Sequence, residues 1–312
     1  MLRFPRSLKP PATVAVIDCG TNSVLLLVAR MQPNGKVVPL YQAIAAPRLG
    51  EGLTGGGKLK RQAAARTLAA LKKMKKEALR FQPDLFLSLG TNIFRRARDG
   101  RAAARHFEKE LGFPFRILSA SEEACLEFLA ASSGLQAKSK IVAVDVGGGS
   151  SEIIWGRGGK IAKKVSLEIG AVRLQEKFSR MNTYDEEALD KLRREAAKKI
   201  PKLKSKKEYR LAVITGGTAT TFAACSLGLK KYKGEKVHGF QTTPKKLKGR
   251  LEKLARLSLR RRKKKLAFDP ARADIIVPGG IILSEILKCL KIKKIIVSDH
   301  GLRWGALYSY LS

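Results

Sequence analysis

Two segments of this chain share one pattern, VIDCGTNS at residues 16–23 and VDVGGGSSE at residues 144–152. In each segment a β-branched apolar run leads to an aspartate, a short turn containing glycine follows, and a second apolar run begins. This order predicts a β-hairpin closed by a tight polar turn. Because the pattern recurs, we interpret the chain as an internal repeat. We expect an α/β protein of two related domains, residues 1–132 and 133–312, flanking a central cleft.

Helices and strands alternate outside the two hairpins. In the first half the pattern predicts strands at 37–42, 84–89 and 115–118. It predicts three helices: one at 59–80, one that follows residues 90–92 and ends at Phe107, and one at 121–132 with Ser121 as the N-cap. In the second half it predicts strands at 160–167, 211–215 and 294–297, and helices at 185–199 and 243–266, the latter started by Thr243 and Pro244.

Length and composition exclude several protein classes. With 312 residues, 44% hydrophobic and 29% charged, the chain is long enough for two globular domains and is neither disordered nor fibrous. No apolar run approaches the roughly 18 residues of a membrane-spanning helix, and the N-terminus makes a poor signal peptide. The four cysteines form no C-x-x-C pair and the three histidines are scattered. We therefore expect buried free thiols in a reducing cytoplasm, and neither a disulfide framework nor a zinc site.

The charge is the unusual property of the sequence. There are 63 lysines and arginines against 26 aspartates and glutamates, a formal net charge of +37, and residues 191–265 alone hold 26 basic and four acidic residues. Such a field concentrates polyanions, so the charge alone would suit phosphate polymers, nucleic acids or anionic membranes. Solvated lysines that only keep the protein in solution are the alternative. Two groups could extend a phosphate site for long chains: Lys202, Lys204, Lys206 and Lys207, and the run 260–265.

Three loops that contain glycine suit phosphate chemistry. They are residues 18–23, 145–152 and 215–220, and each follows a predicted strand. Glycines let backbone N–H groups approach an anion. Three consecutive glycines directly after a buried strand are hard to explain by structure alone, because glycine weakens a strand. Asp145, at the end of its strand, has the chemistry of a Mg²⁺ ligand. One such loop alone is better explained as a tight turn, but three at related places in a repeat favour phosphate binding.

Seven further blocks stand in order around the two hairpins: LGEGL at 49–53, GTNIFRRA at 90–97, ILSASEEA at 117–124, GAVRL at 170–174, TGGTAT at 215–220, RADIIVPGG at 272–280 and VSDHGLRWG at 297–305. With the hairpins they resemble the exopolyphosphatase and guanosine pentaphosphate phosphohydrolase (Ppx/GppA) family over nearly the whole chain. Asp-x-Gly turns occur throughout the wider superfamily, whereas S-x-x-E-E-A and G-T-N-x-x-R single out this family. The resemblance implies two actin-like (ribonuclease H-like, ASKHA superfamily) domains.

The resemblance also implies roles for individual residues. Glu123 would be the catalytic base that deprotonates a water for in-line attack on a terminal phosphorus. Arg95 would hold phosphate oxygens, and Arg96 is the alternative. A purely structural role, as a first-turn carboxylate favoured by the helix dipole, fits Glu122 better than Glu123. The other implied residues are Asn22, Ser23, Gly147, Gly148 and Ser150 for phosphate, and Asp145 and Glu152 for Mg²⁺.

A few features depart from the family pattern. Ala120 replaces a usual glycine and Ser151 a common threonine, which are mild changes, and Trp304 stands where many members have glutamate. That glutamate is not among the residues to which the resemblance gives a catalytic or binding role, so its replacement concerns the choice of substrate more than the activity itself. Longer members carry further HD-like helical domains, so this chain resembles the short, two-domain form.

Together these features predict an enzyme that uses Mg²⁺ to hydrolyse the terminal phosphoanhydride of polyphosphate. Three alternatives stay open: a guanosine pentaphosphate phosphohydrolase, a kinase of the superfamily, and a basic protein that binds RNA or polyphosphate without catalysis. We expect no membrane partner. Nucleic acid is disfavoured as a partner, because only 6% of the residues are aromatic and could stack on bases. The sequence leaves the oligomeric state open, a homodimer included.

Overall fold

The structure is a computed structural model that describes residues 8–311 except 54–56, 134, 136–138, 179–182, 202 and 204–207. The chain divides into two compact units, the first of Met1–Ala130 with Leu302–Ser312 and the second of Ala131–Gly301. The first boundary lies two residues from the predicted one. The sequence analysis assigned Leu302–Ser312 to the second domain, and the structure differs there, because these residues pack within the first unit.

The elements of the first unit are β1 (Ala12–Cys19), β2 (Val24–Met31), β3 (Val37–Ala45), α1 (Arg61–Leu79), β4 (Leu85–Gly90), α2 (Asn92–Arg96), α3 (Gly100–Leu111), β5 (Phe115–Ile117) and the start of α4 (Ala120–Ser133). The second unit contains β6 (Lys140–Val146), β7 (Ser151–Arg157), β8 (Lys160–Leu167), α5 (Ala171–Lys177), α6 (Glu186–Lys199), β9 (Leu211–Thr215), α7 (Gly216–Ser226), α8 (Gly234–Val237), β10 (Phe240–Thr242), α9 (Pro244–Ala255), α10 (Leu259–Lys265), a 3₁₀ turn (Pro270–Arg272), α11 (Ile276–Cys289) and β11 (Lys294–Val297). The chain then returns to the first unit as α12 (Leu302–Tyr308).

In the first unit the described strands form a sheet in the order β3-β2-β1-β4-β5. The central strand β1 pairs antiparallel with β2 and parallel with β4. Its residues are buried on both faces: Ala15 and Ile17 pack in one cluster with α1 and α3, and Val14 and Val16 pack in another with α4 and α12. Burial on both faces explains why β1 reads as a continuous apolar run rather than an alternating one.

In the second unit the order of the described strands is β10-β11-β9-β6-β7-β8. Here β6 takes the place that β1 has in the first unit, since it pairs antiparallel with the next strand, β7, and parallel with β9. Both hairpins close with the same hydrogen bond, from Gly20 N–H to the Ser23 carbonyl at 2.9 Å and from Gly147 N–H to the Ser150 carbonyl at 3.0 Å. The repeat predicted from the sequence is therefore present in the fold, down to the turn geometry.

Two predicted helices are broken in the structure. The helix predicted to end at Phe107 is two helices, α2 and α3, because the residues between them bind elsewhere: Arg98 N–H donates to the Gly57 carbonyl and Asp99 accepts from Leu59 N–H. The helix predicted at 243–266 is α9 followed by α10, and α10 begins anew at Ser258, whose hydroxyl accepts from the third residue along. Both breaks depend on contacts that local periodicity does not reveal.

Four cysteines are free thiols, with Cys19 and Cys225 buried and Cys125 and Cys289 partly exposed. The prediction of buried thiols is thus right for two of the four. Within the described residues, no helix combines the length and the apolar character needed to cross a membrane.

Candidate active site

The first hairpin turn is held by backbone hydrogen bonds on both sides. Gly20 closes it, and the carbonyl of Thr21 accepts from Gly50 N–H at 2.9 Å. The side chain of Asn22, 6% exposed, donates from Nδ2 to Ser23 Oγ at 3.0 Å. Its Oδ1 is buried and accepts no hydrogen bond from the described residues. The two residues implied for phosphate binding in this turn therefore lie together, with one buried polar atom left for a ligand or a water.

Glu123 and Arg95 form an ion pair in the same unit. Arg95 Nη2 lies 2.7 Å from Glu123 Oε2, and Arg95 Nη1 donates to the Leu118 carbonyl at 2.6 Å. The Glu123 side chain is only 8% exposed and that of Arg95 23%. Glu123 lies in the first turn of α4, where a negative charge interacts favourably with the helix dipole. The structure therefore brings the implied base and the implied phosphate-binding arginine together, and it is Arg95, rather than Arg96, that contacts Glu123.

The adjacent Glu122 has a structural task. Its backbone N–H donates to Ser119 Oγ at 3.2 Å, and its Oε2 accepts from Ser119 N–H at 2.8 Å. These reciprocal bonds form a capping box at the start of α4. The N-cap of α4 is thus Ser119, not Ser121 as predicted. The second oxygen of Glu122 pairs with Arg116.

In the second unit the two implied metal ligands are neighbours across a strand pair. Asp145 on β6 lies directly opposite Glu152 on β7, so their side chains project from the same face of the sheet. Glu152 is buried and Asp145 half-buried, and Glu152 Oε1 accepts from Ser166 Oγ at 3.0 Å. Burial raises the pKa of Asp145 to about 6, against the opposing effects of a hydrogen bond from Thr215 and the charge of Arg272. A cation that binds here would relieve the cost of keeping this carboxylate ionised.

The glycine loop after β6 is anchored by the beginning of α5. The carbonyl of Gly147 accepts from Ala171 N–H at 2.8 Å, and that of Gly148 accepts from Val172 N–H at 3.0 Å. The N–H groups of Gly148 and Gly149 donate to no group among the residues that the structure describes. With its carbonyls fixed, the loop keeps the N–H groups of Gly148 and Gly149 available for an anion, whereas the N–H of Gly147, also implied for phosphate binding, donates within the turn.

Arg272 also lies among these residues of the second unit, although it was not among the residues predicted from the sequence. A Cβ atom placed on Gly217 would lie 1.9 Å from the guanidinium carbon of Arg272, so the side chain lies directly over the glycine backbone. The neighbouring Gly216 (φ +75°) is approached just as closely by another side chain, since a Cβ there would lie 2.2 Å from Asp145 Oδ1. The Arg272 guanidinium also pairs with Asp269 at 2.7 Å. The glycines of TGGTAT thus make room for Asp145 and Arg272, and the available signal was that Arg272 begins the block RADIIVPGG.

Cys19, in the first turn region, is not a candidate nucleophile. Burial raises the pKa of its thiol well above the ordinary value, and the neighbouring charge of Asp18 raises it further. The thiol therefore stays protonated at neutral pH, and only the thiolate reacts readily.

Comparison with known proteins adds an independent line of evidence. The model of the Ppx/GppA phosphatase family matches residues 27–312. A bifunctional 3-dehydroquinate synthase/phosphatase of Fusobacterium nucleatum is 30% identical over 305 residues, which are 94% of this chain but 46% of that protein. The chain thus spans less than half the length of this relative. Exopolyphosphatase 2 of Mycobacterium tuberculosis is 27% identical over 325 residues and is matched over 98% of its length and 95% of this chain.

Solved structures match over almost the full chain. The Ppx/GppA family member of Aquifex aeolicus is 29% identical, with a TM-score of 0.81 over 96% of this chain and 97% of that one. An exopolyphosphatase from Cytophaga hutchinsonii is 25% identical, with a TM-score of 0.87 over the same shares. The described fold is therefore that of the short proteins of this family.

Proposed function

Because the chain belongs to the Ppx/GppA phosphatase family, we propose that it is an exopolyphosphatase, which hydrolyses the terminal phosphoanhydride bond of inorganic polyphosphate and releases orthophosphate. The observation that carries this proposal is the ion pair between the buried Glu123 and the half-buried Arg95. It combines a carboxylate that can accept a proton from water with a guanidinium that can bind phosphate oxygens. The names of the similar Mycobacterium and Cytophaga proteins support the same substrate.

In the proposed reaction Glu123 takes a proton from a water whose oxygen attacks the terminal phosphorus. The bond from that phosphorus to the bridging oxygen breaks, so the products are orthophosphate and a chain shorter by one phosphate. Negative charge accumulates on the phosphoryl oxygens in the transition state. Arg95, which lies beside Glu123 in the first unit, is the group there that would stabilise it.

The donor set around Asp145 fits Mg²⁺. Two carboxylates on one sheet face, the half-buried Asp145 and the buried Glu152, supply hard oxygen ligands. Within the described residues no group of three or more His, Cys, Asp or Glu side chains could hold a metal ion. That sparse set agrees with Mg²⁺, which commonly binds one or two carboxylates, several waters and the phosphates of the substrate. When bound, Mg²⁺ would neutralise part of the phosphate charge.

The test is a phosphate-release assay on long-chain polyphosphate and on guanosine pentaphosphate, at equal concentrations of terminal phosphate. We expect release from polyphosphate to be the faster by at least about ten-fold, and to stop when a chelator removes divalent cations. The variant Glu123→Gln, purified in the same way, shows how much release comes from contaminating phosphatases. Faster release from guanosine pentaphosphate would assign the nucleotide as substrate instead, and full activity in excess chelator would remove the metal from the reaction.

A further inference from the structure

The helix α10 presents a dense basic surface. Five of its seven residues are exposed cations, and we call them the α10 basic surface: Arg260, Arg261, Lys263, Lys264 and Lys265. The sixth cation, Arg262, is 1% exposed and points inward. Its Nε donates to the Leu257 carbonyl at 3.1 Å, its Nη1 donates to the Ala273 carbonyl at 3.0 Å, and its guanidinium lies 5.0 Å from the centre of the Tyr184 ring. Arg262 therefore fixes the helix in place, and the other five cations face solvent.

These five cations lack acidic partners in the described part of the chain. Some cations on other helices do have acidic partners. On α6, Lys191 pairs with Glu187 and Lys198 pairs with Glu195, and on α1, Lys72 pairs with Glu110. Asp269, the acidic residue that follows α10 in sequence, is engaged with Arg272. The α10 basic surface is thus an uncompensated concentration of charge.

This arrangement costs stability. Like charges at positions i and i+4, such as Arg260 with Lys264 and Arg261 with Lys265, each destabilise a helix by about 0.2–0.5 kcal/mol. Arg260 and Arg261 also lie in the first turn, where the helix dipole disfavours positive charge. A surface that served only solubility would be better built with interspersed acidic residues. A bound polyanion would remove both penalties.

The helix α10 is attached close to Arg272, one of the residues near Asp145 in the same unit. The Arg262 bond to Ala273 fastens α10 to the residue that directly follows Arg272. Arg272 in turn lies over Gly217, the residue next to the glycine that makes room for Asp145. Only one hydrogen bond and one peptide unit therefore separate the basic helix from a residue of the proposed phosphate site.

From these observations we propose that the α10 basic surface binds the part of a long polyphosphate chain that lies beyond the terminal phosphates. The inference rests on the proposed function, which supplies the class of polyanion. Polyphosphate is a better fit than RNA, because α10 carries no aromatic residue for bases to stack on and the ring of Tyr184 is covered by Arg262. The lysines at 202, 204, 206 and 207, which the sequence suggested for the same role, lie outside the described residues.

The experiment measures binding apart from hydrolysis. Every protein carries Glu123→Gln, and its affinity for long-chain polyphosphate, tripolyphosphate and single-stranded RNA is measured against salt concentration. The test variant changes the five residues of the α10 basic surface to glutamine. The matched control changes four exposed cations of α1 and its exposed C-cap residue to glutamine and so removes the same net charge: Arg61, Lys72, Lys73, Lys76 and Arg80.

At low salt we expect the α10 variant to lose at least about ten-fold in affinity for long-chain polyphosphate. Its loss of affinity for tripolyphosphate should be smaller. Its slope of log affinity against log salt should flatten by about 0.7–0.9 for each lost contact. Equal losses in the α10 and α1 variants would show a general effect of net charge and would overturn the proposal. So would an equal loss for tripolyphosphate, or tighter binding of RNA than of polyphosphate. If the wild type hydrolyses no polyphosphate but the α10 effect persists, the proposed function fails while the binding surface stands.

Discussion

At the scale of single residues, two adjacent glutamates have different tasks. Successive residues of an α-helix point about 100° apart, so Glu122 and Glu123 reach different partners. Glu122 turns back to Ser119 and Arg116 and stabilises the start of α4, whereas Glu123 pairs with Arg95. The two side chains are chemically identical, so only their contacts in the folded structure distinguish their roles.

The first prediction compares the two residues in catalysis. Glu123→Gln keeps the size of the side chain but removes the base, so we expect the rate to fall on the order of 10²–10⁴-fold. Glu122→Gln should keep kcat within a factor of about three, because glutamine can still form the capping box. Phosphate release under substrate saturation checks both. Near-normal turnover in Glu123→Gln would mean that another group is the base.

The second prediction concerns stability and pH. Burial raises the pKa of Glu122, but the hydrogen bonds from Ser119 and the charge of Arg116 outweigh it and hold the pKa below its ordinary value. The folded state therefore favours the ionised carboxylate, and this stabilisation is present above the ordinary pKa of 4.5 and lost as the pH falls through the lower, folded-state pKa. Glu122→Gln should lower the free energy of unfolding by about 0.3–1 kcal/mol at pH 7. Urea melts at pH 7 and below pH 4 check this, since the difference must shrink in acid.

At the scale of elements, the glycines at the start of α7 allow a close approach that no other residue permits. Gly216 makes room for Asp145 and Gly217 makes room for Arg272. Since the atoms that meet Gly217 are the far end of a flexible arginine, a methyl group there would displace the guanidinium rather than the backbone. The start of α7 thus leaves space for a cation beside Asp145.

The third prediction follows from this geometry. Gly217→Ala should keep the fold but move the Arg272 guanidinium, so we expect KM for polyphosphate to rise on the order of ten-fold. The control is Gly249→Ala in α9, where a Cβ meets nothing within 4 Å. That change should stabilise the protein by about 0.5–1 kcal/mol and leave KM unaltered. An unchanged KM in Gly217→Ala would show that Arg272 does not bind substrate.

At the scale of the whole molecule, the chain begins and ends in the same unit. Leu302, Trp304 and Leu307 of α12 belong to the apolar cluster that buries one face of β1. Arg303 Nη1, in addition, donates to the carbonyl of Leu26 on β2 at 2.6 Å. The last helix therefore completes the core of the first unit.

The fourth prediction tests that assignment. Leu307 is fully buried, so Leu307→Ala should destabilise the first unit by about 2–5 kcal/mol. Hydrogen exchange should then accelerate in β1 and β2 more than in β6 and β9. Leu287→Ala, at a comparably buried site in the core of the second unit, should give the reverse pattern. Equal acceleration of both sets of strands in either variant would contradict two separately stabilised units.

The sequence by itself determined the features that depend on neighbours a few residues apart. Strand periodicity, a β-branched run and a glycine turn were enough to locate both hairpins and their repeat. The motif around Glu123 resembles the pattern of the family, and the triple glycine after Asp145 predicted a phosphate-binding loop because three glycines there are hard to explain structurally.

Only the tertiary structure decided the features that join distant segments. It brought Arg272 to Asp145, paired Arg95 with Glu123, returned α12 to the first unit, and selected Arg262 as the one buried cation in a run of six. In the sequence, Arg262 is indistinguishable from its neighbours, since each has the same charge and similar helix propensity. What separates them is the set of carbonyl groups and the aromatic ring that the folded chain assembles around one position. Partners of this kind come from residues far apart along the chain, so no local pattern can encode them.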